Sequence, residues 1–258
     1  MLNIKIKQIK GNLIKIRNII NRFLYKYIVK SIVFHIDPEK VHDNIIFLGK
    51  FLGSNFITRL ITSIFFNYSN KKLEQNILGI KFKNPIGLAA GFDKNAYITK
   101  ILPAVGFGYV EIGSITGEPC EGNKKPRLWR LKKSEGLIVY YGLKNDGCEK
   151  IAKKLKHKKF NIPIGISIAK TNCKYTANKE AGINDYIKAF ITLKDIGNYI
   201  TINISCPNAF GGRPFTKPKD LNDLLIEIEK IPCDKPIFLK LAPDLNTNEL
   251  DDIINICN

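Results

Sequence analysis

The sequence predicts an α/β fold: a TIM (β/α)8 barrel, C-terminally incomplete with about five strands, behind an N-terminal helical module. The first observation is that short β-rich runs alternate with helical stretches after about Leu73. The second is that polar residues follow the carboxyl ends of the predicted strands, where a barrel builds its active site. Alternation alone fits a doubly wound sheet equally well. The placement of the polar residues favours the barrel.

The first predicted unit, residues 1–36, is a basic amphipathic segment with no acidic residue before Asp37. No uninterrupted apolar run reaches the roughly 18–20 residues that span a bilayer, so a helix lying in the membrane interface fits better. Alternatives are a helix packed on the domain, with its lysines solvated, and a transit peptide. The basic residues are Lys5, Lys7, Lys10, Lys15, Arg17, Arg22, Lys26 and Lys30.

The second predicted unit, residues 37–72, is helical. Asp37 is a suitable N-cap, and Pro38 suits the first position of a helix. Apolar residues follow at approximately helical spacing, including Val41, Ile45 and Leu48. We expect a small helical module ahead of the barrel.

The third predicted unit, residues 73–258, is the partial barrel. The predicted strands are 85–89, 109–115, 163–168, 199–204 and 236–241. The predicted helices are 96–105, 147–156, 183–193, 221–231 and 247–257. The chain ends inside the last of these helices, whereas a closed barrel needs eight strands, so we expect the barrel to be incomplete.

Charge and cysteine usage restrict the function classes. The net charge of +18 fits a nucleic-acid surface, attraction to anionic lipid, or a coding bias toward lysine. The lysines are scattered along the sequence. Of the three explanations for the charge, this favours the coding bias first and attraction to anionic lipid second. Six cysteines without CxxC spacing and three widely separated histidines predict a reduced cytosolic context without a metal centre.

Three segments carry the chemistry. Residues 203–208 (Asn-Ile-Ser-Cys-Pro-Asn) end a predicted strand with two amides, which can grip an amide-rich ring, and with Cys206, a thiol that can accept a proton. Residues 87–94 put small side chains at a strand end, where a planar ring can approach the backbone, followed by the cation of Lys94. A tightly packed corner is the alternative there. Lys240 ends an apolar strand, where an ammonium needs an anion or strong acceptors.

From about Ile36 to Asn258, the order of motifs resembles the membrane-associated, quinone-reducing class of dihydroorotate dehydrogenases. Besides 87–94 and 203–208, the matching segments are 35–42, 111–114, 122–131 and 240–245. The resemblance implies oxidation of dihydroorotate to orotate in pyrimidine synthesis, with FMN as cofactor. It also implies a quinone acceptor that enters through residues 37–72.

The resemblance implies roles for individual residues. Cys206 is the catalytic base, which removes the C5 proton while hydride leaves C6. The substrate-binding residues are Lys94, Asn203, Asn208, Gly142, Leu143 and Asn145. The FMN-binding residues are Ala89, Ala90, Gly91, Phe92, Asp93, Lys94, Ser114, Ser167, Asn203 and Lys240. The implied location is the cytoplasmic face of a bacterial inner membrane, with the mitochondrial inner membrane as the alternative.

The chain departs from the quinone class at the base. Cys206 stands where that class normally has serine, and Leu143 and Ala209 replace its usual phenylalanine and threonine. The three replacements are consistent with one another. A thiol with a pKa of about 8.5 needs less help from neighbouring groups to ionise than a serine hydroxyl does.

Two further departures concern ligand contacts. Val139 occupies the position where the family has a substrate-binding asparagine. Asn145 is the candidate to take over that contact. Ser167 replaces a flavin-contacting asparagine and is short enough to require a bridging water.

Two other functions fit parts of the sequence. A flavin barrel that reduces uridine in tRNA also uses a cysteine, and a basic surface suits RNA. However, Asn203 and Asn208 around Cys206 suit a small free pyrimidine, so no nucleic-acid partner is expected. The other function class is non-catalytic: an inactive, truncated barrel fragment without flavin.

Overall fold

The N-terminal part of the chain is helical in the structure, a computed structural model that describes residues 2–257. The predicted unit limits at Met1 and Asn258 lie outside that description, as do the side chains of residues 2–8, Lys10 and Pro214. The predicted basic side chains Lys5, Lys7 and Lys10 are therefore not described. The helices are α1 (Leu2–Phe23), a π-helical segment (Leu24–Val29), α2 (Lys30–Val33), α3 (Pro38–Leu52) and α4 (Phe56–Phe66).

Side-chain caps define α3 and α4. Asp37 accepts a hydrogen bond from the Lys40 backbone N–H at 3.0 Å, with Pro38 in the first turn as predicted. Asn55 caps α4 by accepting from the Thr58 N–H at 2.9 Å. Within the described residues no single helix is long and apolar enough to cross a membrane, although α3 and α4, bent by 117°, pass that test together.

Strands and helices alternate after α4. The strands are β1 (Gln75–Ile77), β2 (Ile80–Phe82), β3 (Gly87–Leu88), β4 (Tyr109–Ile115), β5 (Leu128–Leu131), β6 (Gly136–Val139), β7 (Ile164–Ile168), β8 (Tyr199–Asn203) and β9 (Ile237–Lys240). The helices are α5 (Leu102–Val105), α6 (Cys148–Leu155), α7 (Lys179–Leu193), α8 (Pro218–Glu229) and α9 (Thr247–Cys257).

The central sheet has five parallel strands in the order β3-β4-β7-β8-β9. Every residue of β7 and β8 is buried, as expected for parallel strands that are covered on both faces. Helices α6, α7 and α8 pack their buried apolar residues against this sheet in one core. The arrangement is α/β and barrel-like, as predicted, and in residues 2–257 β3 and β9 form its two edges.

The structure confirms the five predicted strands and corrects one helix. Of the predicted helix 96–105, α5 forms at Leu102–Val105 and the preceding residues form turns. The cause is Asp93, whose buried carboxylate accepts from the Tyr97 and Ile98 backbone N–H groups at 2.8 and 3.0 Å. These bonds fix a turn where the apolar spacing predicts helix.

A buried ion pair joins α3 to the barrel-like part. Arg127 Nη2 donates to Glu39 Oε1 at 2.7 Å, and its Nε lies 3.2 Å from both carboxylate oxygens. Arg127 also donates to the Glu121 and Asn123 carbonyl oxygens at 2.8 and 2.9 Å. Both residues of the pair are 4% exposed, so water hardly reaches the two charges. The hydrogen bonds between and around them therefore have to replace solvation.

We predict that Glu39→Gln lowers the free energy of unfolding by about 3 kcal/mol at pH 7, because it leaves the Arg127 charge buried and unpaired. Equilibrium urea unfolding measures this. The matched control is Glu149→Gln, which breaks an exposed 3.0 Å pair with Lys188 and costs at most about 1 kcal/mol.

The difference between wild type and Glu39→Gln also depends on pH. Burial raises the pKa of Glu39, but the hydrogen bonds and charges of Arg127 and Lys125 outweigh it and hold that pKa below 4.5. The ion pair therefore contributes fully above pH 4.5 and is lost as pH falls through the lower folded-state value. A stability difference that stays constant down to pH 2 would contradict this.

Candidate active site

Side chains link the carboxyl ends of four neighbouring strands. The Asn203 Nδ2 donates to Ser114 Oγ at 2.7 Å, and Ser114 Oγ lies 2.8 Å from Ser167 Oγ. The Asn203 Oδ1 accepts from both the N–H and the hydroxyl of Ser205, at 3.0 and 2.7 Å. Lys240 Nζ donates to Ser205 Oγ at 2.9 Å. We call this set, Ser167, Ser114, Asn203, Ser205 and Lys240, the edge network.

The edge network brings together four residues that the sequence predicts as site residues. Ser114, Ser167 and Asn203 are buried, whereas the Lys240 side chain is exposed because β9 is an edge strand in the described part of the chain. Ser205 joins Lys240 to the buried members. A ligand lying on this edge would meet hydroxyl, amide and ammonium groups that are already fixed in place.

The segment after β3 faces the same edge. Gly91 has a φ of +106°, which a side chain would strain, and a Cβ there would meet no atom within 4 Å. Its N–H donates to the Gly113 carbonyl oxygen at 2.7 Å. Together with the partly or fully exposed Ala89 and Ala90, it leaves open space beside the backbone.

Asp93 and Phe92 have contacts within the protein. Burial raises the pKa of Asp93, against the two backbone hydrogen bonds that its carboxylate accepts. This arrangement supports a positioning role for Asp93, and its predicted cofactor contact stays a prediction. The Phe92 carbonyl oxygen accepts from His42 Nε2 at 2.9 Å, which ties α3 to this segment.

Lys94 points into a cavity of about 340 Å3 between α3 and the barrel-like part. Its Nζ lies 4.0 Å from the centre of the Tyr141 ring. Burial lowers the pKa of Lys94 to about 8. The ammonium is therefore mostly charged at pH 7 and incompletely solvated, which suits it to bind an anion.

Cys206 lies half-buried in the loop after β8. Burial raises the pKa of its thiol, and the Asn208 backbone N–H and the cations of Lys240, Lys170 and Arg213 oppose that effect in part. Cys206 and Asn203 line one small cleft together with Leu143 and Ala209. The predicted base thus lies beside the edge network.

Asn208 and Gly142 are linked through the side chains of Asn123 and Asn172, the first of which accepts from the second at 3.0 Å. Asn208 Nδ2 donates to the Val139 carbonyl oxygen at 2.8 Å, and its own carbonyl oxygen accepts from Asn123 Nδ2 at 3.0 Å. The Gly142 carbonyl oxygen accepts from Asn172 Nδ2 at 3.1 Å. Val139, at the position of the expected asparagine, supplies a backbone acceptor here.

Asn145 is engaged within the protein. Its Nδ2 donates to Thr116 Oγ1 and to the Leu143 carbonyl oxygen, both at 2.8 Å, and its Oδ1 accepts from the Gly147 N–H at 2.8 Å. Both amide hydrogens are used, and the side chain is 4% exposed. The geometry therefore supports a structural role, and the predicted substrate contact stays a prediction.

Sequence reasoning missed several residues of the site. Ser205 stands beside Cys206 and is absent from the predicted site, although an asparagine side chain often accepts from the backbone N–H two residues later, which here is that of Ser205. His42, Tyr141 and Asn123 reach the site through contacts between segments far apart in the chain. His42 and Asn123 lie in the matching segments 35–42 and 122–131, but no local pattern assigns them or Tyr141 to the site.

Known proteins resemble this chain in sequence and structure. A family model described as dihydroorotate dehydrogenase matches residues 72–258. The chain is 40% identical to the dihydroorotate dehydrogenase (quinone) of Christiangramia forsetii over 238 residues, which cover 90% of this chain and 68% of that protein. It is 38% identical to the protein of the same name from Bartonella tribocorum over 239 residues, which cover 89% and 62%.

A solved structure agrees with these relatives. The ligand-free DHODH of Eimeria tenella has a TM-score of 0.72 and 28% identity, covering 86% of this chain and 66% of that chain. The chain spans between 62% and 68% of the length of the two curated relatives named above.

We predict that Asn203→Leu lowers the free energy of unfolding by about 2–4 kcal/mol, because it removes the shared partner of Ser114 and Ser205. Urea unfolding followed by circular dichroism measures this. Asn222→Leu, on an exposed position of α8, is the control and should change stability by less than about 0.5 kcal/mol. Equal effects of the two substitutions would show that the edge network contributes little.

Proposed function

The chain belongs to the dihydroorotate dehydrogenase family, and from this premise we propose that its site serves the oxidation of dihydroorotate to orotate, with FMN as cofactor and a quinone as final electron acceptor. This reaction belongs to de novo pyrimidine synthesis. The observation that carries the proposal is that the edge network and Cys206 share one end of a parallel sheet.

The residues at this edge fit FMN. An isoalloxazine ring needs a flat approach and several donors and acceptors, which the open space at Gly91, the Ser114 hydroxyl and the Lys240 ammonium supply. Ala89, Ala90, Phe92, Ser167 and Asn203 surround that position in the proposal. FMN, when bound, supplies the acceptor for the hydride that leaves C6 of the substrate.

The chain's own residues hold the substrate and move its proton. Lys94 and Asn208 bind the carboxylate and the pyrimidine ring, and Asn203 borders the ring from the sheet. Cys206, as the thiolate, accepts the proton from C5 and becomes the thiol. The electrons of that C–H bond form the C5=C6 double bond as hydride departs.

Leu143 and Ala209 are consistent with a thiol base. Both line the cleft at Cys206, and neither carries a group that can relay a proton. A serine base would need such help, because its hydroxyl ionises far above neutral pH. The Cys206 thiol is a stronger acid, so an apolar setting is compatible with its role.

The cavity between α3 and the barrel-like part is the proposed access route for the quinone. The Tyr141 hydroxyl is buried and, among the described residues, has no hydrogen-bond partner. It can donate to a quinone carbonyl oxygen, and His42 and Phe92 supply aromatic surface beside it. Lys94 lines this cavity rather than the cleft at Cys206, so in the proposal its side chain reaches from the acceptor route toward the substrate.

The N-terminal helices are the proposed membrane contact. Large apolar side chains on α3 and α4 are exposed, among them Phe47 at 75%, Phe56 at 69% and Ile57 at 66%. Arg17 and Asn21 attach α1 to the carboxyl end of α4 through the Ile64, Asn67 and Phe65 carbonyl oxygens. A basic helix beside an apolar face suits an anionic leaflet, on the cytoplasmic face of a bacterial inner membrane.

The proposed division of labour follows the three units. Residues 1–36 contact lipid, residues 37–72 admit the quinone, and residues 73–258 hold FMN and the substrate. The Glu39–Arg127 ion pair and the His42–Phe92 hydrogen bond support treating the second and third units as one functional body.

We predict that the purified chain supplied with FMN under argon binds flavin that bleaches when dihydroorotate is added. Cys206→Ala should slow this bleaching by a factor of about 10²–10⁴, the usual contribution of a general base. Because burial raises the thiol pKa, the wild-type rate should still be rising at pH 9, and Cys206→Ser should shift the profile higher.

The control is Cys233→Ala, which removes another half-buried thiol that does not line the cleft. Bound FMN that dihydroorotate fails to bleach would contradict the proposed reaction. Unchanged bleaching in Cys206→Ala would contradict the assignment of the base.

We predict that Phe56→Asp weakens co-sedimentation of the chain with anionic phospholipid vesicles by roughly tenfold, the loss expected for one buried aromatic side chain. Tyr175→Asp is the matched control, since Tyr175 is an aromatic residue of the barrel-like part that is 77% exposed. Equal loss in the two variants would point to charge alone rather than to insertion of α4.

A further inference from the structure

The backbone N–H and C=O groups of Phe210 are both held by the segment that follows β7. Lys170 Nζ donates to the Phe210 carbonyl oxygen at 2.6 Å, and the Phe210 N–H donates to Asn172 Oδ1 at 2.6 Å. Phe210 lies four residues after Cys206 in the same loop. The loop that carries the proposed base is thereby attached to the end of the neighbouring strand.

Asn172 extends this attachment to the other side of the cleft. Its Nδ2 donates to Asn123 Oδ1 at 3.0 Å and to the Gly142 carbonyl oxygen at 3.1 Å. Asn123 in turn donates to the Asn208 carbonyl oxygen at 3.0 Å. Residues 208 and 210 are therefore both restrained by side chains from outside their own loop.

Lys170 is unusual because its charge is enclosed. The side chain is 3% exposed, and within residues 2–257 its ammonium makes the bond to Phe210 and no salt bridge. The nearby carboxylate of Asp185 is occupied by the N–H and hydroxyl of Thr171, each at 2.7 Å. A buried ammonium without a paired carboxylate is costly, and burial lowers the pKa of Lys170 accordingly.

The charged and titratable groups that face Cys206 come from several elements. They are Lys170 after β7, Lys240 on β9, Tyr186 on α7 and Arg213 in the same loop. Lys240 is exposed, and Arg213 is paired with Asp244 at 2.8 Å, so water and a carboxylate weaken their effect on the thiol. Cys173 and Asp185 face Lys170 from its other sides. Lys170 is the cation least screened by solvent, and it lines the cleft together with Cys206.

We propose that Lys170 and Asn172 are positioning residues for Cys206: both hold its loop through the Phe210 peptide, and Lys170 also favours the thiolate by its charge. This inference rests on the proposed role of Cys206 as proton acceptor. Lys170 does not touch the reacting atoms. It affects Cys206 by holding the loop in place and by the electrostatic effect of its positive charge on the thiolate.

The test is the rate of Cys206 alkylation by iodoacetamide between pH 7 and 11, read by mass spectrometry of the peptide containing it, with the midpoint and the alkaline plateau rate taken from a fit to the pH dependence. Lys170→Met should move the midpoint to higher pH and slow alkylation at pH 8 by about three- to tenfold, since the thiolate is the reactive form. Lys170→Arg should restore the midpoint. Both Lys170→Met and Asn172→Ala should raise the rate at the alkaline plateau, because the loop is released.

The control is Lys194→Met, which removes a similar 2.7 Å bond from a lysine to a backbone carbonyl oxygen, that of Pro232. Its midpoint and plateau should match those of the wild type. A Lys170→Met midpoint equal to that of the wild type overturns the electrostatic part, and an Asn172→Ala plateau equal to that of the wild type overturns the loop attachment. Asn172→Ala still tests the loop attachment if Lys170→Met fails to fold.

Alkylation requires neither FMN nor dihydroorotate. A normal alkylation response together with absent flavin reduction would therefore reject the proposed reaction while leaving the attachment of the loop intact.

Discussion

The side-chain amide of Asn203 connects the carboxyl ends of the central strands, at the point where their backbone hydrogen bonds stop. Through Ser114 it reaches β4 and β7, and through Ser205 it reaches β9. Buried hydrogen-bonded chains of this kind are stable when every member has a partner, and they fix the positions of their members closely. The loop with Cys206 leaves from the same residue, so the geometry of the proposed site depends on this one amide.

Two further sets of contacts build outward from that edge. The Phe210 peptide, held by Lys170 and Asn172, restrains the far end of the loop. The Glu39–Arg127 pair and the His42–Phe92 hydrogen bond attach α3 to the opposite side of the site. Fixed groups from separate segments thus surround a region in which charge would be transferred, which reduces the reorganisation that a reaction requires.

Local patterns in the sequence predicted the regular elements well. The strands of the central sheet, the extent of α9 and the cap at Asp37 follow from apolar periodicity and capping chemistry, which depend on residues close together in the chain. The same patterns misread 96–105, because the carboxylate of Asp93 competes for backbone N–H groups there. The 122–131 segment, which the resemblance marks as a matching motif, contains β5, which pairs with β6.

The site was only partly predictable. Cys206, Asn203, Ser114 and Lys240 were expected at strand ends and the structure places them there, while their roles stay predictions. Ser205 and Asn172 were missed because their importance comes from partners 35 and 38 residues away. Asn145 was predicted to bind substrate because its side chain is of a suitable type. In the structure its amide instead forms hydrogen bonds that build the surrounding turn.

The ion pair between Glu39 and Arg127 has a consequence for synthesis of the chain. The two residues are 88 positions apart, so α3 leaves the ribosome well before the residue that anchors it exists. At about 5–20 residues per second, that interval lasts roughly 4–18 seconds. Throughout it, Ile46 and Leu52 of α3 have no core to pack against, and Phe47 and Phe56, which stay exposed in the folded chain, add further apolar surface. A nearby bilayer or a chaperone would shelter them, and translation in the absence of both would favour aggregation of the nascent chain.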